Sequence, residues 1–186
     1  MTHKLTTEEM GRMSVEEFRV SEKLPLTVVL DNVRSLNNIG SVFRTSDAFR
    51  VEHIALCGIT ATPPHREIHK TALGAEESVA WSYQEDTAEC VRALKEQGYK
   101  IYAVEQVDDS IKLGTQASRL PAAETAAYPR VAIILGNEIE GVQESLLPLC
   151  DGCLEIPQYG TKHSLNVSCA AAIVIWEMFK ELRMDN

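Results

Sequence analysis

The chain has 186 residues, of which 45% are hydrophobic and 24% charged, and its formal net charge is -9. These values are typical of one globular domain with a substantial core. The acidic balance disfavours a protein that binds nucleic acid by charge alone, because nonspecific affinity for phosphates comes from Lys and Arg. The most apolar run, Cys169 to Trp176, is far shorter than the ~20 residues that cross a bilayer.

The N-terminal residues predict one or two short helices. Thr6 and Ser14 each stand three residues before a glutamate, which is the capping-box pattern at the start of a helix. The segment lacks the apolar stretch of a secretory leader, so we expect a cytoplasmic protein. We expect residues 1–24 to form a short helical extension and residues 25–186 to form the main domain.

Beyond Pro25, β-rich runs alternate with helical patterns, which predicts an α/β fold with a mostly parallel sheet flanked by helices. Strands are predicted at Leu26 to Leu30, His53 to Cys57, Val79 to Tyr83, Lys100 to Val104, Val131 to Leu135 and Cys153 to Ile156. Helices are predicted at about Asn38 to Phe49, Glu67 to Leu73, Ala88 to Gln97, Gln143 to Leu149 and Leu165 to Leu182. The polar segment from Gln106 to Tyr128 predicts a connection, with room for one short helix and no domain boundary.

The last predicted helix is apolar on almost all sides between Val167 and Phe179. A helix without a polar stripe needs burial on more than one side. In a chain of this size a subunit interface supplies that second cover, so we predict a two-fold homodimer. A wholly internal helix is the alternative.

The cysteine and histidine patterns do not predict a metal site. Five cysteines, an odd number, argue against a disulfide framework. Cys150 and Cys153 form a C-x-x-C, but no second pair completes four zinc ligands. His65 and His69 lack the glutamate that follows the first histidine in zinc proteases, and we assign no metal.

Three segments combine glycine-bearing turns with polar side chains near strand ends. The first, Leu30 to Thr45, reads LDNVRSLNNIGSVFRT. The second, Gly136 to Gly141, reads GNEIEG, and the third, Ile156 to Ser168, reads IPQYGTKHSLNVS. At the carboxyl edge of a parallel sheet, such turns present backbone amides and carbonyls to a small ligand.

Together and in this order, the segments resemble the three motifs of the SpoU family, also called the TrmH family, of RNA ribose 2'-O-methyltransferases in the SPOUT superfamily. The resemblance spans roughly Leu26 to the C-terminus. It implies S-adenosylmethionine as methyl donor and transfer or ribosomal RNA as substrate. It also implies a C-terminal trefoil knot, which periodicity cannot show and general folding rules disfavour. Many relatives carry a separate RNA-recognition domain before the catalytic one, so we expect a minimal form here.

The resemblance also assigns roles to particular residues. Those that match catalytic positions are Arg44 and Asn38 in the first motif, Glu138 in the second, and Ser164 and Asn166 in the third. Those expected to enclose the methyl donor are Leu135, Gly136, Asn137, Gly141, Ile156, Gly160, Ser164, Leu165 and Asn166. The residues alone allow a structural interpretation. Arg44 falls opposite the apolar stripe of its predicted helix, as a solvated arginine does, and Asn38, Ser164 and Asn166 are helix-cap candidates.

A fixed guanidinium suits the reaction that the resemblance implies. Arg44 can hold a phosphate with two hydrogen bonds and stabilise the alkoxide that develops as the 2'-hydroxyl loses its proton. It is not expected to take that proton, because guanidinium stays protonated in proteins. Residues 31–75 carry five basic and four acidic side chains, whereas residues 76–125 carry five and ten. This distribution predicts a mildly basic face near the first motif, although ordinary solvated charges give the same pattern.

Two other functions are compatible with an α/β chain. A Rossmann-type enzyme is disfavoured, because the turn after the first strand holds one glycine where the dinucleotide fingerprint needs three. A non-catalytic RNA-binding or assembly dimer that kept the fold remains open. The presence of all five matched catalytic residues favours the methyltransferase.

Overall fold

The computed structural model describes residues 2–6, 9–115 and 129–182. It contains seven parallel strands in the order β3-β2-β1-β6-β4-β7-β5, which confirms the predicted α/β class. The strands are β1 Leu24–Asp31, β2 Val51–Cys57, β3 Trp81–Gln84, β4 Lys100–Val104, β5 Ile111–Lys112, β6 Val131–Leu135 and β7 Gly152–Glu155. The short β5 lies in the predicted connection after Gln106, and residues 116–128 of that connection lie outside the described ranges.

Six α-helices and one 3-10 helix join the described strands. The α-helices are α1 Val15–Val20, α2 Leu36–Ala48, α3 Arg66–Ala72, α4 Ala75–Ser78, α5 Thr87–Glu96 and α6 Val167–Leu182. The segment Glu144–Leu149, predicted as a helix from Gln143, is a 3-10 helix that contains Pro148. Pro148 lacks the amide hydrogen that a longer helix would need at this position, and 3-10 helices are common as short segments of this length.

The start of α2 differs from the sequence prediction. We expected Asn38 as a candidate cap, but Ser35 is the N-cap, and its hydroxyl accepts a hydrogen bond from the Asn38 amide at 3.3 Å. The helix therefore begins two residues earlier than predicted. Because Ser35 caps the helix, the side chain of Asn38 is available for contacts outside it.

Two apolar layers cover the sheet and fix the positions of the strand ends. On one face, Ile39, Val42 and Phe43 of α2 are fully buried, and this helix packs against β2 and α6. On the other face, Val91 of α5 packs in a second cluster with the 3-10 helix. All residues of β6 are buried, as expected for a central parallel strand.

The N-terminal extension is packed against the main domain. The predicted capping box at Ser14 and Glu17 is present, and Phe18 of α1 is 6% exposed within the main core cluster. Thr6 and Glu9 also exchange both capping-box hydrogen bonds, at 2.7 and 3.3 Å. Residues 7–8 between them are outside the described part of the chain. Within the described ranges, none of the helices has the length and apolar character needed to cross a membrane.

Candidate functional site

A cleft of about 560 Å³ lies at the carboxyl ends of β4, β6 and β7. Its volume is within the range of small-molecule sites, about 300 to 1,000 Å³. Eight of the nine predicted donor-binding residues line it: Leu135, Gly136, Asn137, Gly141, Ile156, Ser164, Leu165 and Asn166. The ninth, Gly160, is exposed and is not part of the lining.

The loop after β6 is closed tightly on itself. The backbones of Asn137 and Gly141 exchange two hydrogen bonds of 2.9 Å. A Cβ atom on Gly136 would lie 2.0 to 2.2 Å from the backbone of Gly141 and Val142, and Gly141 itself has a positive φ of 72°. Only glycine allows both the close approach and the left-handed backbone, so the sequence of this loop fixes one wall of the cleft.

Glu138 connects this loop to the beginning of α2. Its two carboxylate oxygens accept hydrogen bonds from the backbone amides of Arg34 at 3.0 Å and Ser35 at 2.8 Å. Partial burial raises the pKa of Glu138, but these amide hydrogen bonds outweigh the burial and hold the pKa below its ordinary value. The carboxylate is therefore charged at neutral pH and holds the first and second motifs together.

The third motif is joined to the first through two asparagines. Asn38 donates to Glu138 at 3.4 Å and accepts from the Asn166 side chain at 3.1 Å. Asn166 also accepts from the Ser168 amide at 2.9 Å, which is the contact of an N-cap residue at the start of α6. The side chain of Asn166 thus caps the helix and also reaches the first motif. Residues 128 positions apart meet here at the mouth of the cleft.

Two residues that sequence reasoning missed hold both loops of the cleft. Glu105, directly after β4, accepts a hydrogen bond from the Val142 amide at 3.1 Å. Gln106 donates to the His163 carbonyl at 2.8 Å. The available signal was their position at the end of a central strand, next to two other strand ends with functional residues.

A third missed residue, Asp31, lies at the end of β1 and is fully buried. Its carboxylate accepts from the Thr87 hydroxyl at 2.7 Å and from the side chain and backbone amides of Gln143 at 2.7 and 3.1 Å. A buried carboxyl group is destabilising unless its oxygens have hydrogen-bond partners. Asp31 therefore ties the start of α5 and the end of the second motif to the centre of the sheet.

Arg44 is not part of this cleft. It is exposed on α2 and lines a separate cavity, together with Arg12 and Arg50. Glu138, Ser164 and Asn166 line the cleft of one chain, and Asn38 is hydrogen-bonded to two of them from outside the lining. Arg44 lies on a different surface.

The cleft has a negative character. Among its described lining residues are Glu105, Glu138 and Glu140, and no Lys or Arg is among them. Aliphatic side chains, Val104, Leu135, Leu154, Ile156, Leu165 and Val167, supply the apolar part of the lining. This combination suits a small ligand that has a flat apolar part and a positive charge.

The cysteines of the C-x-x-C pair are not among the residues that line the cleft. Burial raises the pKa of Cys150 to about 11, and burial likewise raises the pKa of Cys153. A thiol with a raised pKa is a weak nucleophile, which agrees with a structural role. No three metal-ligating side chains converge within residues 2–6, 9–115 and 129–182.

The fold and the cleft define the class of protein: a parallel α/β domain that binds a small ligand between glycine-bearing loops after its strands. The family model for the SpoU rRNA Methylase family matches residues 25–176. The chain belongs to this family.

Individual relatives agree with the family match. The tRNA (guanosine(18)-2'-O)-methyltransferase of Thermus thermophilus is 32% identical over 91% of this chain and 81% of its own. The 23S rRNA (guanosine-2'-O-)-methyltransferase RlmB of Nitrosomonas europaea is 31% identical over 84% of this chain and 56% of its own. The solved structure of an AdoMet-bound rRNA methyltransferase from Sinorhizobium meliloti aligns with a TM-score of 0.75 and 25% identity, covering 88% of this chain and 59% of that one.

Proposed function

We propose that this protein transfers a methyl group from S-adenosylmethionine to a ribose 2'-hydroxyl of transfer or ribosomal RNA, in the cytoplasm and as a homodimer. The observation that carries the proposal is the convergence of Asn38, Glu138 and Asn166 at the mouth of a small-ligand cleft. The names of the Thermus and Nitrosomonas relatives support RNA ribose methylation and leave both RNA classes open.

The cleft fits the methyl donor in shape and charge. S-adenosylmethionine, when bound, supplies an electrophilic methyl group on a positively charged sulfur. The three glutamates of the lining balance the positive charge of the sulfonium, and the aliphatic side chains at the ends of β6 and β7 suit an adenine ring. We assign donor binding to the nine residues that the sequence predicted. Gly160 lies outside the lining and contributes only through its backbone, which an alanine would keep.

Within the cleft, Glu138, Asn38 and Asn166 act as one hydrogen-bonded unit. Glu138 fixes the beginning of α2, and the hydrogen bond between Asn38 and Asn166 fixes the third motif relative to that helix. Ser164 lines the cleft beside them and orients the donor or the target ribose. Alignment of two reactants in this way accounts for a large share of the rate in transfer reactions.

Arg44 completes the catalytic set from the other protomer. It lies on α2, which packs against α6, so a dimer built on α6 carries Arg44 to the neighbouring cleft. There the guanidinium holds a phosphate of the RNA and stabilises the developing alkoxide.

The surface of α6 supports such a dimer. Cys169, Ile173 and Trp176 form an exposed stripe at helical spacing, with Ile173 41% and Trp176 49% exposed. The opposite face of α6 is buried against α2 and β1. Trp176 also contacts Phe49 of α2, with ring centroids 5.6 Å apart, which extends the apolar surface onto α2. An apolar stripe of this kind marks a protein interface.

The domain division and the knot complete the proposal. Residues 1–24 form the extension and residues 25–186 the methyltransferase domain, a division that the start of the family match at residue 25 supports. After β7 the chain returns past β4 and β6 to α6, and Gln106 of the β4–β6 connection contacts His163 of the returning segment. This path supports a trefoil knot, and a continuous crystallographic trace through residues 116–128 tests it.

Two experiments test the activity. Calorimetry with S-adenosylhomocysteine measures donor binding, and 2'-O-methyl mapping of RNA from a strain without the gene identifies the target. We expect wild type and Arg92→Ala, an exposed arginine of α5, to restore the modification, and Arg44→Ala to leave it absent. Absence of donor binding in wild type contradicts the enzyme and favours the assembly dimer. Full restoration by Arg44→Ala contradicts the role of Arg44.

A mixing experiment tests the shared site. Arg44→Ala and Asn166→Ala protomers are each inactive in this proposal, but a mixed dimer has one complete site. After exchange at equal amounts, activity should return to about a quarter of wild type, because half of the dimers are mixed and each has one of two sites. No recovery, with exchange verified by mass spectrometry, places Arg44 at its own cleft or outside the reaction. Trp176→Asp should yield monomers in sedimentation experiments.

A further inference from the structure

A second cavity, of about 770 Å³, lies between the N-terminal extension and the main domain. Residues 10–15 form one wall, and the last turns of α2 and the region from the end of α3 to α4 form the other. Three arginines from separate parts of the chain line it: Arg12, Arg44 and Arg50. We call this the arginine groove.

The arginines of the groove have no acidic partner among the described residues. Ion pairs within 4.0 Å involve none of the three, and Asp47, which also lines the groove, accepts a hydrogen bond from Ser78 at 2.5 Å. Arg130, by contrast, pairs with Glu52 at 3.6 Å. Asp47 and Glu77 are the acidic residues of the groove lining, so its three arginines leave a net charge of +1 there, in a chain whose net charge is -9.

Lys23 lies near one of these arginines, although it is not among the residues that line the groove. Burial lowers the pKa of Lys23, and the nearby positive charge of Arg50 lowers it further, so the two cations are within electrostatic range of each other. Like charges held close together without a counterion are unfavourable, and a bound anion relieves that repulsion. The groove therefore favours an anionic ligand.

We propose that the arginine groove binds the phosphate backbone of the RNA substrate on the side of Arg44 away from the methyl donor. This inference rests on the proposed function, because RNA is the extended polyanion that an RNA methyltransferase must bind. Guanidinium groups match phosphate oxygens with paired hydrogen bonds, and the exposed Met10 and Met13 supply apolar surface beside them for a ribose or base.

The proposal gives the N-terminal extension a role in substrate binding. Arg19 of α1 donates two hydrogen bonds to the Glu77 carbonyl of α4, at 3.2 and 2.7 Å. Together with the buried Phe18, this contact anchors α1 to the main domain. Arg12 stands three residues before α1 and is therefore positioned opposite Arg44 and Arg50. The extension thus completes a binding surface of which α2 forms the other side.

The test compares Arg12→Gln, Arg50→Gln and the double variant with Arg92→Gln, which removes an exposed arginine of α5 outside the groove. The probe is a fluorescein-labelled, unmodified transfer-RNA transcript. Fluorescence anisotropy measures its affinity at salt concentrations from about 50 to about 300 mM, where affinity from phosphate contacts depends strongly on salt. Each lost phosphate contact should reduce the slope of log affinity against log salt by about 0.7 to 0.9. The double variant should therefore lose roughly 1.4 to 1.8 units of slope.

Further readouts separate substrate binding from the other steps. We expect the double variant to bind S-adenosylhomocysteine as wild type does, and to raise KM for RNA with little change in kcat. Arg12→Lys combined with Arg50→Lys should restore most of the salt slope, because lysine keeps the charge. Equal affinity and slope in the double Gln variant and Arg92→Gln would overturn the inference even if the wild type methylates RNA. Groove-dependent RNA binding without methyl transfer would support the groove and contradict the enzyme.

Discussion

The replacement Glu138→Gln tests the central contact of the cleft. The carboxylate accepts amide hydrogen bonds from Arg34 and Ser35 at 3.0 and 2.8 Å. A glutamine keeps one acceptor oxygen but points an NH2 group at the other amide, so at least one charge-assisted hydrogen bond is lost. Such a bond contributes about 1.5 to 3 kcal/mol.

If that energy holds the loop in its ligand-binding form, Glu138→Gln should weaken binding of S-adenosylhomocysteine by about tenfold to a hundredfold, since about 1.4 kcal/mol corresponds to tenfold. Isothermal titration calorimetry measures the affinity, and hydrogen exchange should show faster exchange at the amides of Arg34 and Ser35. Glu140→Gln is the matched control, because it removes the same charge from the lining of the same cleft but no side-chain hydrogen bond among the described residues. Equal affinities for the two variants, with unchanged exchange at both amides, would refute the reasoning.

Three further outcomes follow from the same structure. Gly136→Ala should lower donor affinity by more than about tenfold, because its Cβ meets backbone 2.0 Å away, whereas Gly160→Ala, with open space around it, should bind as wild type does in calorimetry. Because the pKa of Glu138 is lowered on folding, its stabilisation is complete above the ordinary value of 4.5 and is lost as pH falls through the folded value. The difference in unfolding free energy between wild type and Glu138→Gln should therefore shrink from pH 6 to pH 3 in urea titrations, and a constant difference would contradict this. In the Trp176→Asp monomer, where α6 has no dimer partner, iodoacetamide at neutral pH should modify the exposed Cys169 before the buried Cys57, whose pKa is raised by a hydrogen bond with Cys90 and by burial. Mass spectrometry that finds Cys57 modified first would contradict this.

The regular part of the fold could be predicted from local sequence, because buried parallel strands are continuous apolar runs. The strand Val131–Leu135 has the predicted bounds, and β4 does too. The two-residue β5 could not be predicted, since a strand this short has no periodicity. The predicted start of α2 was wrong because two residues that can cap a helix, Ser35 and Asn38, stand three positions apart. Only the structure shows which of them is the N-cap.

Some residues of the candidate site could likewise be predicted from the sequence, and others could not. The residues of the three motifs were identified by resemblance, and the structure places most of them together at one cleft. Glu105 and Gln106 were missed because their partners, Val142 and His163, are 37 and 57 positions away and a Glu-Gln pair is no motif. Asp31 was missed for the same reason: its contacts to Gln143 bridge 112 positions.

The central position of β6 has a consequence for how the protein is made. Leu26 of β1 pairs with Val131 of β6, and Asn38 meets Asn166, so synthesis must pass residues 131 and 166, respectively, before these contacts can form. Pairings between residues so distant in sequence form slowly, and they leave apolar strand edges open until the later strand arrives. On the ribosome, β1 and β2 therefore emerge with one edge of β1 unprotected, and the nascent chain needs shielding until its last third has left the exit tunnel.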